Sequence, residues 1–179
     1  MNPSLLPSVF AGYLPTVDLD AVVAALAPRL VAYATGRTGC RATGEDVAQD
    51  ALTALVGRWK RHGPPESSEA FAFAIARRRA GRAVLRRALT RPLEFVLGAP
   101  ADANAIDAYE QRAELRTVMA TMRRLRSADR EVLLLRAAGE LSLSEIAIVT
   151  RSSVSAVKMR LHRARSRLTE LLEESPNAR

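Results

Sequence analysis

The sequence predicts an all-α protein made of two small helical domains joined by a flexible linker. Three observations carry that prediction. Aromatic residues make up only 4% of the chain and β-branched alternation is rare, so strand-forming patterns are nearly missing. Apolar residues recur at helical spacing in two separate blocks. Between these blocks, residues 94–114 hold five acidic residues and one Arg, with Pro92, Gly98 and Pro100 punctuating the region. The expected division is an N-terminal extension (1–18), a first domain (19–91), a linker (92–113), a second domain (114–174) and a tail (175–179).

The first helix is expected from Leu19 to about Gly36, with Val22, Val23, Leu26, Leu30 and Tyr33 on its buried side. The stretch from Gly36 to Gly44 should break it. Thr43 then opens a second helix through a Thr43-x-x-Asp46 capping box, and Gly63-Pro64-Pro65 ends that helix. Ser67 or Ser68 caps a third helix, which carries Phe71 and Ile75 and runs to about Ala88. Trp59 and Phe71 are expected in the core. Beyond the linker, residues 114–125 and 129–137 read as two helices, the second capped by Ser127. Ser142-x-x-Glu145 is a capping box before a short helix (145–149), and after a tight turn a long helix runs from Ser153 to about Glu173. On that last helix Val154, Val157, Leu161, Ala164, Leu168 and Leu171 share one face, leaving the opposite face polar.

With 179 residues and 48% hydrophobic content, the chain has material for packed cores but not for a large multidomain enzyme. One Cys and two His exclude an internal disulfide and a Cys/His zinc site, so no metal or cofactor is expected and a reducing, cytoplasmic setting fits. Neither a signal peptide nor an uncharged apolar run of roughly 18–20 residues is evident, so no membrane association is expected. The formal net charge of +8 favours an anionic partner.

The cations are concentrated. Residues 77–91 hold seven arginines and no acid, and residues 146–169 hold Arg151, Lys158, Arg160, Arg163, Arg165 and Arg167, again with no acid. The second block lies on a helix-turn-helix pattern, whose second helix enters the major groove with its N-terminal residues at base edges. Ser153, Ser155, Ala156 and Met159 stand where readers belong, while Lys158, Arg160 and Arg163 are placed to clamp phosphates. Arg151 falls in the turn.

Three runs in the second block, Arg130-Glu-Val-Leu-Leu-Leu-Arg136, Leu141-Ser-Leu-Ser-Glu-Ile-Ala147 and Ser153-Val-Ser-Ala-Val-Lys-Met-Arg-Leu-His-Arg-Ala-Arg165, together resemble region 4 of bacterial RNA polymerase sigma factors. Ala27-Pro-Arg-Leu30, Glu45-Asp-Val-Ala-Gln-Asp50 and Ala74-Ile-Ala-Arg77 resemble region 2 of the same family. With only a short segment between the two regions, the chain is similar to the extracytoplasmic-function (ECF) group. The resemblance implies a promoter-specificity subunit without a catalytic site. It implies that Asp46, Gln49, Asp50 and Thr53 meet the clamp helices of the largest subunit of core RNA polymerase. These four share one side of a helix, as an acidic-polar stripe would need. The resemblance further implies that Arg77, Arg78, Arg82 and Arg86 take the minus-ten promoter element. Arg136, Arg151, Ser153, Ser155, Ala156, Lys158, Met159, Arg160 and Arg163 would then take the minus-thirty-five element. Region 4 would also dock on the flap of the second-largest subunit through Leu168, Leu171 and Leu172, and an anti-sigma factor is a further implied partner. The chain departs from the pattern at Arg78 and Arg82, where Asn and Asp are usual, at Phe71 in place of Trp, and at Thr150-Arg151-Ser152 in place of Leu-Gly-Ile. If Arg151 takes a positive φ where the pattern has Gly, that costs roughly 1 kcal/mol, which a phosphate contact by its side chain would offset.

Two other readings compete with a sigma factor. One is a free-standing helix-turn-helix regulator. The other is a small nucleic-acid-processing enzyme using Asp46 and Asp50 as i, i+4 ligands for Mg²⁺, which lacks a third ligand at metal-site spacing.

Overall fold

The computed structural model describes residues 18–90 and 107–174, and these form seven helices and no strand. They are α1 (Leu19–Thr38), α2 (Arg41–His62), α3 (Ser68–Thr90), α4 (Asp107–Arg124), α5 (Ser127–Ala137), α6 (Leu143–Thr150) and α7 (Val154–Glu173). Expectations for residues 1–17, 91–106 and 175–179 lie outside the described residues.

The all-α reading and the pairing of two helical domains hold. Helices α1, α2 and α3 pack on one another, and α7 packs on α4, α5 and α6. In the first domain Leu26, Leu30, Tyr33, Val47, Ala51, Leu55 and Phe73 are buried. The Tyr33 and Phe73 rings meet edge to face with centroids 5.5 Å apart, a contact worth about 0.5–1.5 kcal/mol beyond its area. In the second domain Val132, Leu135, Leu141, Ile146, Val157 and Leu161 form the centre. Trp59 and Phe71 are partly buried against the core, as expected.

Helix starts depend on whether a side chain is available to take the first free amides. Two expected caps are present: Ser67 Oγ accepts from Ala70 N at 3.0 Å, and Ser142 and Glu145 form a complete capping box, while Ser153, expected as the first residue of its helix, is instead its cap and accepts from Ala156 N at 3.1 Å. Two others fail. Helix α2 starts at Arg41, and Cys40 at its cap position brings no side-chain oxygen, so Thr43 and Asp46 lie inside the helix rather than forming its box. Helix α5 starts at Ser127 after an equally uncapped Arg126, so Ser127 is its first residue and not its cap.

The remaining differences concern extent. Helix α1 continues through Gly36 and stops at Gly39, whose φ of 72° ends the helical hydrogen bonding. It also passes Pro28, whose ring removes one backbone bond. Helix α4 begins at Asp107, so residues 107–113 of the expected linker are helical. Val154 was expected on the buried face of α7 but is 46% exposed, because the first turn of that helix projects past the core. Helix α1 is long and apolar enough to cross a membrane by length and composition alone. Yet Leu26, Leu30, Tyr33 and Ala34 enter the core, and Arg29 and Arg37 pair with acids of the second domain, a packing that belongs to a core helix.

Candidate nucleic-acid interface

The second domain presents a helix-turn-helix whose turn is fixed by Arg151. That residue has φ 54° and ψ 49°, and its amide closes α6 onto the carbonyls of Ala147 and Ile148. A left-handed residue here lets the chain reverse within Arg151 and Ser152, and Ser153 then caps α7. The outer face of α7 carries Ser155, Lys158, Met159, His162 and Arg163, all exposed, beside exposed Arg151 and Ser153. Ala156 and Arg160 are half-buried at the edge of this face. Met159, 60% exposed, and Ile148, 61% exposed, add apolar surface to a cationic face. Arg136 is exposed, but its Nη1 donates to the Leu141 carbonyl at 2.7 Å, which ties the guanidinium to the approach to α6.

In the first domain the arginines of α3 divide by partner. Arg77 lies with its Nε 3.1 Å from Glu131 Oε2, and Arg79 pairs with Asp50 at 3.2 Å. Arg78, Arg82 and Arg86 are exposed. Arg77, Arg78 and Arg82 line an open cavity of about 490 Å³ together with Arg37, Gly81, Leu85 and Glu131. Four arginines face one carboxylate there, an arrangement suited to an anion.

The α2 stripe also divides. Gln49 and Thr53 line a groove of about 430 Å³ between α1 and α2, floored by Ala27, Val31, Ala48, Leu52 and Val56. Asp46 is exposed on the same helix but does not line the groove, and Asp50 turns toward α3 and its Arg79. Of the three leucines assigned to the flap, Leu171 is buried in the core of the second domain, whereas Leu168 and Leu172 are half-buried. Leu171 therefore supports α7 instead of offering a contact. Among the described residues no three His, Cys, Asp or Glu come together as a metal site.

Sequence reasoning missed Glu131, Arg29 and Arg37. Glu131 heads five consecutive buried residues, Glu131–Leu135, in α5. A helix covered on all sides forces a partner onto any charge within it, and that was the available signal. Capping lowers the pKa of Glu145. Its partial burial pushes the carboxyl up, but hydrogen bonds from the Ser142 hydroxyl and amide and from Ser67 Oγ, with Arg29 nearby, outweigh this and hold it below the usual range. Burial raises the Tyr33 phenol, and the Glu131 carboxylate adds to the effect.

A capped helix-turn-helix with a cationic outer helix, on a chain with a second arginine-lined helical domain, defines a DNA-binding protein of transcription. Comparison with known proteins makes this specific. The family profile for sigma-70 region 2 matches residues 22–90, and that for sigma-70 region 4 matches residues 115–168. RNA polymerase sigma-E factor of Streptomyces antibioticus is 33% identical over 139 residues, covering 72% of this chain and 70% of the relative. Among solved structures, CnrH in complex with the cytosolic domain of CnrY is 25% identical with a TM-score of 0.66, covering 88% of each chain. The sigma factor RpoE of Bartonella quintana, in complex with the anti-sigma factor NepR, shares the fold at 23% identity and TM-score 0.66, over 87% of this chain and 97% of that one. The chain belongs to the sigma-70 family of RNA polymerase sigma factors, in the extracytoplasmic-function group.

Proposed function

We propose that this chain binds core RNA polymerase and directs transcription initiation by reading two promoter elements with two domains, residues 19–91 and 114–174. The observation that carries the proposal is the pair of cationic helical surfaces, one on each domain, in a member of this family. Helix α3 offers Arg77, Arg78, Arg82 and Arg86 to the minus-ten strand. Helix α7 and its turn offer Arg151, Ser153, Ser155, Ala156, Lys158, Met159, Arg160 and Arg163 to the minus-thirty-five duplex, with Arg136 beside them. The cations neutralise phosphate and fix register, while Ser155 and Met159 project at groove depth. Gln49 and Thr53 at the rim of the α1–α2 groove, and Asp46 on the same helix, meet the clamp helices of the largest polymerase subunit, with Asp50 held at the edge by Arg79. Leu168 and Leu172 are left to touch the flap of the second-largest. The protein is a non-catalytic, cytoplasmic specificity subunit that needs no cofactor, and an anti-sigma factor is a fitting antagonist.

Co-elution of the purified full chain with bacterial core RNA polymerase tests the proposal. The wild type should co-elute, and Asp46→Arg/Gln49→Arg, which leaves the Asp50–Arg79 pair intact, should not. A wild type that binds duplex DNA sequence-specifically and never binds core enzyme would instead be a free-standing helix-turn-helix regulator.

A further inference from the structure

The two domains do not merely sit side by side. Helix α3 packs on α6 and α1 packs on α5, and polar contacts cross this seam. Ser67 Oγ donates to Glu145 Oε1 at 3.0 Å, and the Arg29 guanidinium donates to the Gly139 carbonyl, its Nε at 3.1 Å. Arg29 Nε also lies 3.6 Å from Glu140 Oε2, and Glu131 of the second domain reaches two arginines of the first. Its Oε2 is 3.1 Å from Arg77 Nε and its Oε1 is 3.4 Å from Arg37 Nε. Glycine makes the closeness possible. A Cβ at Gly139 would lie 2.9 Å from the Phe73 ring, and one at Gly36 would lie 2.7 Å from a Leu134 methyl.

The Glu131 cluster is buried but imperfectly satisfied. Glu131 is 6% exposed, yet its Oε1, both arginine Nε atoms and the neighbouring Tyr33 hydroxyl lack a hydrogen-bond partner of good geometry. Desolvating an ion pair of this kind offsets most of its attraction, so the cluster fixes the register of the two domains more than it holds them together. Arg77 also borders the cavity that Arg78 and Arg82 share. A strand phosphate reaching Arg77 would offer the same charge-assisted contact that Glu131 now supplies.

We propose that Glu131 is an internal stand-in for promoter phosphate: in the free protein it holds Arg77, with Arg37, against the second domain, so that domain closure and capture of the minus-ten strand compete. This rests on the assignment of α3 to minus-ten DNA. The competition is reciprocal, because anything that binds Arg77 only in the open state must favour opening by the same factor. Removing the carboxylate leaves the Arg37 and Arg77 guanidinium groups facing each other without a counter-charge, which drives the seam apart.

The test uses the full-length chain without polymerase, with one fluorescent label on each domain, and a labelled (dT)12 single strand as probe. Glu131→Gln keeps the size and helix preference of the side chain and should lengthen the interdomain distance and tighten (dT)12 binding by about 5-fold or more. Arg37→Gln, at a position not itself assigned to DNA, should lengthen the distance as well. Gly36→Gln, which adds bulk against Leu134 while leaving every charge in place, should open the domains and tighten (dT)12 binding likewise. Saturating (dT)12 should open the wild type. Unchanged distances in Glu131→Gln and Arg37→Gln would overturn the proposal, and so would opening without tighter binding. Distance and core-enzyme binding are separate readouts, so a chain that closes through Glu131 but ignores core polymerase would refute the sigma assignment and not the latch.

Discussion

Arg151, like Glu140, is a non-glycine residue held at positive φ. A non-glycine side chain at φ 54° costs about 1 kcal/mol, and glycine is the residue that occupies such a helix end without penalty. Arg151→Gly should therefore raise the thermal stability of the second domain by up to about 1 kcal/mol. It should also weaken the polymerase–promoter complex and lower the salt slope of its formation by about one, the signature of a lost phosphate contact. Calorimetry and promoter binding at a series of salt concentrations check the two halves, and an unchanged slope would remove Arg151 from the DNA interface. This position is legible in the sequence because Arg151 stands where the resembled family usually carries glycine. Glu131 was not legible, because its partners, Arg37 and Arg77, lie 94 and 54 positions away and only the folded chain brings them to it.

Legibility in the helices follows the same physics. The serine caps of α3 and α6 are legible, since a side-chain oxygen taking a free amide is a local event, although α6 starts at Leu143, two residues before the expected Glu145, and Ser153 proves to be the cap of α7 and not its first residue. The starts of α2 and α5 have no such bond at the cap position, so packing sets them and local sequence does not. The α6 cap reaches further than its own helix, since Glu145 also accepts from Ser67 at the start of α3. Ser142→Ala should cost about 1 kcal/mol. The pH dependence has a definite sign. Because the folded pKa of Glu145 lies below its unfolded value of about 4.3, its stabilisation is complete at neutral pH. That stabilisation fades as pH falls from that value through the lower folded one. In urea melts, wild type should lose its advantage over Glu145→Gln across that acidic window, and a gap constant down to pH 3 would show that the carboxylate charge contributes nothing.

For the molecule as a whole, charge dominates behaviour on DNA. With two cationic surfaces engaged at once, six to ten phosphate contacts would lose about 10³–10⁵ in affinity between roughly 50 and 200 mM salt. Filter binding of the assembled complex across that range measures this, and a flat profile would contradict the assigned arginine roles. Two helical domains and two basic faces could be read from composition and spacing. The seam between the domains could not, because it is made of glycines at 36 and 139, a serine, and charges whose partners lie on the other domain. The fit at Gly139 has a consequence for modularity. The second domain cannot be exchanged freely for that of a relative, even when both halves fold and both read their own DNA. A hybrid that brings a side chain larger than glycine at 139, or lacks an acid at 131, would join two sound parts that never close on each other. Under the proposed assignment, minus-thirty-five reading and the resting shape of the chain are inherited together, through residues 114–174.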